Sequence, residues 1–461
     1  MGLFASAAAL LVATAGPDFV EKPCIDERLA KLARCGTVSV PEDRQRPEVR
    51  TIALNVVVMP ATTKSSLPPL FDIDGGPGLA ATKNIAFYAT AGSAYRHDRD
   101  IVMVDQRGTG GSNPLHCPEF SEPEAAYQPL FPAAQVRQCR RALEQGADLT
   151  KYGTAEAVAD LEAVRAALGY RQIDLFGLSY GSTVALRYIA TYPDRVRAAV
   201  LMGVSPASAT PPKGHALAGD RAMKKLVNQC RSEGACAAAF DPAEDIDRAR
   251  ARLPSISNAP SADIFFEKLR SLMYLPTGSR RVPLVLSRAA AGDLSPFFAA
   301  TASQSQMLYA DGMHLSVICS EGMALMDVAA ARAVAEATIF GDYRLRQQQQ
   351  ACAEWPKAQV PDDHLQPVRS DVPVLLISGE LDPVTPPDLA DEVAKTLPNS
   401  RHIVIPASGH LFDGMSGVDT CLDPLILNFL QTGNVQPLEA GCVSSMKPPP
   451  FLTSMEQAET R

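Results

Sequence analysis

Several features are missing from this 461-residue chain. There is no run of Lys and Arg; the 43 basic residues face 51 acidic ones, for a net charge of −8. A mildly acidic chain without a basic patch does not suit a nucleic-acid binder. The cysteines include no C-x-x-C pair, and no two histidines stand at helical metal-ligand spacing. A zinc cluster is therefore disfavoured, and no metal ion is expected. No apolar run is long enough for a confident bilayer span, so no stable membrane span is expected. No internal repeat is visible. With 46% hydrophobic and 20% charged residues, the composition is that of a folded globular chain.

Proline and cysteine are plentiful. The 37 prolines imply many loops. The ten cysteines are an even number, which fits disulfides in an oxidising compartment better than free thiols in a reducing one. The sequence leaves the connectivity open. The simplest scheme joins neighbours: Cys24 with Cys35, Cys117 with Cys139, Cys230 with Cys236, Cys319 with Cys352, and Cys421 with Cys442. The first residues, MGLFASAAALLVATAGPDF, contain an apolar stretch Leu3 to Ala15 ending in Ala13-Thr14-Ala15, like a signal-peptidase site. Residues 1–15 thus read as an export signal, although no Lys or Arg precedes the apolar run. The competing match is a loose myristoylation pattern at Met1-Gly2 with Ser6, which would leave a cysteine-rich chain in the cytosol.

Strand patterns occur at 37–40, 51–58, 70–73, 101–104, 173–176, 198–202, 374–378 and 402–405. Helical patterns separate several of them. One is capped by Thr154 and carries Val158, Leu161, Val164 and Leu168 on one face; others are near 181–190, 389–397 and 422–430. Alternating strands and helices predict an α/β class with a mostly parallel, doubly wound sheet. Residues 24–206 and 371–442 form the two parts of this core. Residues 207–370 show few strand signals and read as a helical insertion capping it. Residues 443–461, with three prolines at 448–450, read as a loose tail.

The chemistry centres on Gly177-Leu178-Ser179-Tyr180-Gly181. This pentapeptide directly follows a strand and directly precedes a helix, the setting of a nucleophile elbow. A serine hydroxyl is a weak nucleophile and needs a base that is itself held by an acid. In sheets of this kind the acid and then the base follow the serine in the chain. His410, in Ser408-Gly409-His410, lies just past a strand. His402 stands at the opposite end of that strand, and His215, His314 and His364 fall in the insertion. Asp382 follows the strand 374–378. Glu380 competes with it, but the extra loop length lets Asp382 fold back towards His410. Two backbone N–H groups must receive the oxyanion. Tyr180 supplies one. The loop Gly75-Gly76-Pro77-Gly78 supplies the other, with Gly76 as first choice, Gly75 as second, and Pro77 without an N–H. The run from Asp105 to Ser112 invites a phosphate-loop reading. It fails because Asn113 stands where glycine is needed and no Lys follows. Arg107 reads as an ion-pair residue.

Together GGPG at 75–78, DQRGTGGS at 105–112, GLSYGS at 177–182, GELDPVTPP at 379–387 and SGH at 408–410 resemble α/β-hydrolases of the proline iminopeptidase and tripeptidyl aminopeptidase family. The stretch from Val372 to about Cys442 resembles the tripeptidyl-aminopeptidase-type C-terminal region. The resemblance covers most of the chain from Cys24. It implies an α/β-hydrolase fold with a helical cap, a secreted serine hydrolase, and Ser179, Asp382 and His410 as the triad. Asp74, Leu178 and Leu411 depart from residues common in the family. Esterases and peptidases share this family.

The function expected is an exported aminopeptidase of prolyl or tripeptidyl type that needs no cofactor and works through an acyl-enzyme on Ser179. Its substrate's free amine calls for a carboxylate at the boundary of core and cap. Glu321, in Cys319-Ser320-Glu321, is the first candidate, because related proteins carry an acidic residue after a similarly placed cysteine. Glu380 is the second. The alternative is a carboxylesterase acting on small acyl esters with the same triad. More remote is a binding protein that keeps the fold without catalysis.

Overall fold

A computed structural model describes residues 18–24, 29–64, 67–121, 123–302 and 309–459. The export stretch at 1–15 and the myristoylation pattern lie outside the described residues. Nine strands form one sheet among the described residues: β1 (Phe19–Lys22), β2 (Arg34–Pro41), β3 (Thr51–Met59), β4 (Leu70–Ile73), β5 (Ile101–Val104), β6 (Ile173–Leu178), β7 (Val196–Met202), β8 (Val374–Gly379) and β9 (Ser400–Ile405). Their spatial order is β1-β2-β3-β5-β4-β6-β7-β8-β9. The pairs from β1 through β3 to β5 are antiparallel, and those from β5 across to β9 are parallel. β1 has no counterpart in the strand patterns of the sequence. Thr154 is the first helical residue rather than the cap, which is Gly153.

β4 and β5 are buried on both faces, as parallel strands covered by helices must be. On one face Val158, Leu161 and Val164 of the helix Thr154–Ala167 pack with Val184 and Tyr188 of the helix Tyr180–Thr191. On the other face Leu425, Ile426, Phe429 and Leu430 of the helix Asp423–Thr432 cover β7 and β8. The six strands from β4 to β9 point their carboxyl ends to one rim through their parallel pairing, and it is there that loops can gather reacting groups.

The stretch between β7 and β8 is helical but does not pack as one unit. Its first half builds a core of its own from Met223, Leu226, Phe265, Phe266, Leu269 and Phe297. Its second half sends Met313, Leu315, Val317, Cys319, Leu345 and Trp355 into the same core as the sheet. Trp355 Nε1 donates to Ser316 Oγ at 3.0 Å and ties this half together.

The tail differs from the loose segment expected. Val443, Met446, Phe451 and Leu452 are buried. The Arg280 guanidinium lies 4.2 Å from the Phe451 ring centroid, and Leu452 N–H donates to Arg280 O at 3.1 Å. The prolines at 448–450 carry the chain to a docking point on the insertion, so apolar anchors at 451 and 452 outweigh the local bias to disorder. Among the described residues no helix is long and apolar enough to cross a membrane.

Candidate active site

β6 ends at Leu178, and the helix Tyr180–Thr191 begins two residues later. Ser179 between them has φ 56° and ψ −121°, a conformation that costs an L-residue energy and persists only where the surroundings impose it. The imposition is visible. Ser179 N–H donates to Met202 O at 2.8 Å, pinning the turn to the end of β7. A side chain at Gly181 would run into the Ile73 carbonyl, so the helix can start this close to β4 only with glycine there. A side chain at Gly75 would likewise meet Ser179 Cβ at 2.8 Å, which brings the GGPG loop against the serine.

His410 and Asp382 occupy the loops after β9 and β8. His410 Nδ1 lies 2.7 Å from Asp382 Oδ2. Asp382 is 2% exposed, and its Oδ1 accepts the N–H groups of Val384 and Thr385, both at 2.9 Å. Thr385 Oγ1 donates to Asp382 Oδ2 at 2.7 Å and stands 3.0 Å from His410 Nδ1. An ionised carboxylate only accepts, so the imidazole nitrogen facing it carries the proton, and Nε2 keeps a free lone pair. The ring also sits against Gly203, next to the Met202 carbonyl that holds Ser179. From the insertion, Tyr274 meets the His410 ring edge-on at 5.1 Å, and Tyr274 O accepts Leu411 N–H at 2.9 Å.

The competing residues are engaged elsewhere. Glu380 Oε2 accepts Ala407 N–H at 3.0 Å, and Oε1 pairs with Lys225 at 3.3 Å. It braces the loop of His410 from outside. His402 bonds Asp391 and Ser378. His314 bonds Tyr309 and Gln348, and His364 lies 3.6 Å from Glu321. His215 is held well below the usual histidine range by burial, and its Nδ1 has no partner among the described residues. Arg107 is buried in a bidentate pair with Asp160, both contacts at 2.7 Å, as the ion-pair reading expects. Thr385 was not singled out in the sequence. The available signal was a hydroxyl three residues after an aspartate in Asp382-Pro383-Val384-Thr385, the spacing of a local side-chain turn.

The GGPG loop separates its two candidate donors. Gly75 N–H is taken by Asp74 Oδ1 at 2.6 Å. Gly76 N–H has no acceptor among the described residues. Tyr180 N–H is the first amide of its helix, one of those that helix geometry leaves unpaired. Asp74 Oδ2 pairs with Lys83 at 3.1 Å and accepts from Asn84 at 3.2 Å. Asp72 beneath it is pushed up to about 7 by burial and by the Asp74 charge. Across the loop, the Tyr309 ring lies 3.3 Å from where a Cβ on Gly76 would stand, and Ala310 N–H donates to Gly78 O at 3.0 Å.

Glu321 is placed differently from a free amine acceptor. Its Oε1 accepts Thr154 N–H at 2.6 Å and its Oε2 accepts the Thr154 hydroxyl. Thr154 Oγ1 also bonds the Tyr180 hydroxyl at 2.9 Å. Glu321 therefore braces the helix start behind Tyr180, and a substrate amine would have to displace Thr154. Burial pushes its carboxyl up to about 7. The ten cysteines form five disulfides, Cys24–Cys35, Cys117–Cys139, Cys230–Cys236, Cys319–Cys352 and Cys421–Cys442, with no free thiol among them.

The sheet order and the strand–serine–helix turn are those of the α/β-hydrolase fold, and the chain is a serine hydrolase of that class. Residues 68–227 match the family model described as alpha/beta hydrolase fold, and residues 336–442 match the one described as TAP-like protein. The chain thus has the α/β-hydrolase fold, and its C-terminal part is similar to the TAP-like model. It is 24% identical over 464 residues to serine protease Hip1 of Mycobacterium tuberculosis, covering 89% of this chain and 87% of that protein. It is 25% identical to tripeptidyl aminopeptidase of Streptomyces lividans, covering 97% and 90%. It is 28% identical to carboxylesterase B of Mycobacterium tuberculosis, covering 89% and 86%.

Proposed function

We propose that this serine hydrolase is an exported aminopeptidase with Ser179, His410 and Asp382 as its triad. The observation that supports the reading is the buried Asp382–His410 hydrogen bond, with the His410 ring against Gly203, next to the Met202 carbonyl that accepts Ser179 N–H. Ser179 Oγ attacks the scissile carbonyl carbon while His410 Nε2 takes its proton. Asp382 holds the imidazole orientation and stabilises the imidazolium. Gly76 N–H and Tyr180 N–H receive the oxyanion. Collapse breaks the C–N bond, and His410 gives its proton to the leaving amine. A water, deprotonated by His410, then attacks the acyl ester, releasing the acid and restoring Ser179. These steps use side chains and backbone alone. Five disulfides support an extracellular or envelope location. The helical stretch at 207–370 serves as the cap that restricts entry to chain ends and short peptides.

The relatives named as a serine protease and a tripeptidyl aminopeptidase favour a peptide bond. The one named carboxylesterase B, at 28% identity, favours the second reading, a small acyl ester cleaved by the same groups. Purified protein assayed on prolyl and tripeptidyl chromogenic substrates, with free and with acetylated amines, and on short acyl esters, separates the two. Selective loss on acetylation supports the aminopeptidase. Turnover of esters only, or equal cleavage of blocked peptides, rejects it.

A further inference from the structure

A cavity of about 350 Å³ opens between the helices Ala262–Leu272 and Tyr343–Glu354 of the insertion, Phe120 and residues 125–135. Its wall includes Tyr309 and Asp311, which bracket Ala310. That wall is fastened to the GGPG loop by the Ala310–Gly78 hydrogen bond and by the Tyr309 ring against Gly76 and Gly78. Asp311 is 8% exposed, and its Oδ2 has no hydrogen-bond partner among the described residues. A buried acceptor without a donor is costly and unusual, and it asks what donor completes it.

The cavity's other charges are already committed. Glu267 accepts from Arg270 at 2.6 Å and from Arg344 at 3.3 Å. Lys268 points its ammonium towards the Tyr127 ring, 5.9 Å from the centroid. Asp311 stands apart from this network: its carboxyl is held by backbone N–H groups of Asp311 and Cys117, and Glu119 is the charged neighbour that raises it. Burial pushes its carboxyl up to about 7, so a bound cation would favour the ionised form.

We propose that this cavity is an ammonium-binding pocket in which Asp311, rather than Glu321, anchors the free α-amine of a peptide. The proposal deepens the aminopeptidase reading and rests on it for the identity of the ligand. An ammonium supplies the donor that Oδ2 lacks and a positive charge where Asp311 and Glu119 leave a negative one. A small acyl ester has neither and passes without using the pocket. The oxyanion loop shares a wall with the cavity, so a ligand anchored there is tied to the structure that holds Gly76.

The test compares the full-length wild type with Asp311→Asn, which matches the neutral carboxyl in shape and removes the charge. Hydrolysis of a short acyl ester reports the triad. A free-amine tripeptide and its N-acetyl form serve as inhibitors of that hydrolysis and, as chromogenic anilides, as substrates. The expected result is at least a tenfold rise in the inhibition constant and in KM for the free-amine forms, with ester turnover unchanged and the acetylated peptide weak against both proteins. Ala126→Trp, which adds bulk to the cavity lining, should give the same selective loss. Unchanged inhibition in either variant, or equal loss on ester and peptide in both, overturns the pocket. The two readings fail separately. Peptide cleavage untouched by Asp311→Asn leaves the aminopeptidase standing without this anchor. Asp311-dependent inhibition in an enzyme that cleaves only esters does the reverse.

Discussion

The sheet and the insertion position their side chains in different ways. In the sheet, each reacting group proposed here stands in a loop after a parallel strand: Ser179 after β6, Asp382 after β8 and His410 after β9. Strand register and a few local hydrogen bonds place them. In the insertion, Tyr274 stands in the turn after the helix Ala262–Leu272, while Tyr309, Asp311 and Glu321 lie along the continuous stretch 309–323, and long-range packing places them. Local backbone geometry thus fixes the proposed triad, and tertiary packing fixes the groups that the insertion contributes. The insertion is itself divided, since its first half has its own core and its second half shares that of the sheet.

The largest effect should come from breaking the sheet side of this comparison. Ser179→Ala is expected to lower kcat about 10⁴-fold or more with an unchanged unfolding midpoint. Full turnover in a clean preparation would move the chemistry elsewhere. Next comes Thr385→Val, which removes the hydroxyl bonded to Asp382 and beside His410 Nδ1. A hydrogen bond to a charged group contributes about 1.5–3 kcal/mol, so a fall in kcat/KM of about 10- to 100-fold is expected, with recovery in Thr385→Ser. Loss confined to KM, or no recovery with serine, would show that Thr385 does not act through the pair.

The same division explains what the sequence revealed. β4 and β5 were legible to the residue because a short apolar run bounded by turn residues has one good reading as a buried strand. Ser179, Asp382 and His410 were legible because each sits in a local motif directly after such a run. β1 was not, because Phe19–Lys22 is mostly exposed and takes its form from pairing with β2. Thr385 lay in a quoted motif but gains meaning only when His410 arrives from 25 residues away. Glu321 could be suspected from the family resemblance around Cys319, but its engagement with Thr154, 167 residues distant, is a tertiary fact. Asp311 carried no local signal at all; its unpaired oxygen shows only in the folded molecule.

The disulfides test the two halves of the insertion against each other. Cys319–Cys352 closes a separation of 33 residues and lies in the half that shares the sheet's core. Cys230–Cys236 closes 6 residues in the other half. Loop entropy alone gives about 4 kcal/mol for the first and about 2 kcal/mol for the second. Replacing each pair with serines should therefore lower the urea midpoint more for 319/352 than for 230/236, and only the former should also disturb peptide affinity. Equal losses would mean that the insertion is one mechanical unit.

The smallest effect concerns pH and sets one buried acid of the sheet against two of the insertion. Asp72 in β4, and Asp311 and Glu321 in the insertion, are all pushed up to about 7, mainly by burial. A folded pKa above the unfolded value means that the native state holds protons the unfolded chain has released. Stability linked to these groups is therefore greatest below about pH 4, falls as pH rises towards 7, and levels off above it. Paired carboxylates with depressed pKa slope the other way, at lower pH. Asp72→Asn removes one contribution without changing shape, so its urea midpoint should drop less than that of the wild type between pH 5 and pH 8. Asp311→Asn should flatten the curve in the same direction. If Asp72→Asn alone abolishes the slope, the sheet carries the whole proton linkage, and the two insertion carboxylates are already ionised in the free enzyme.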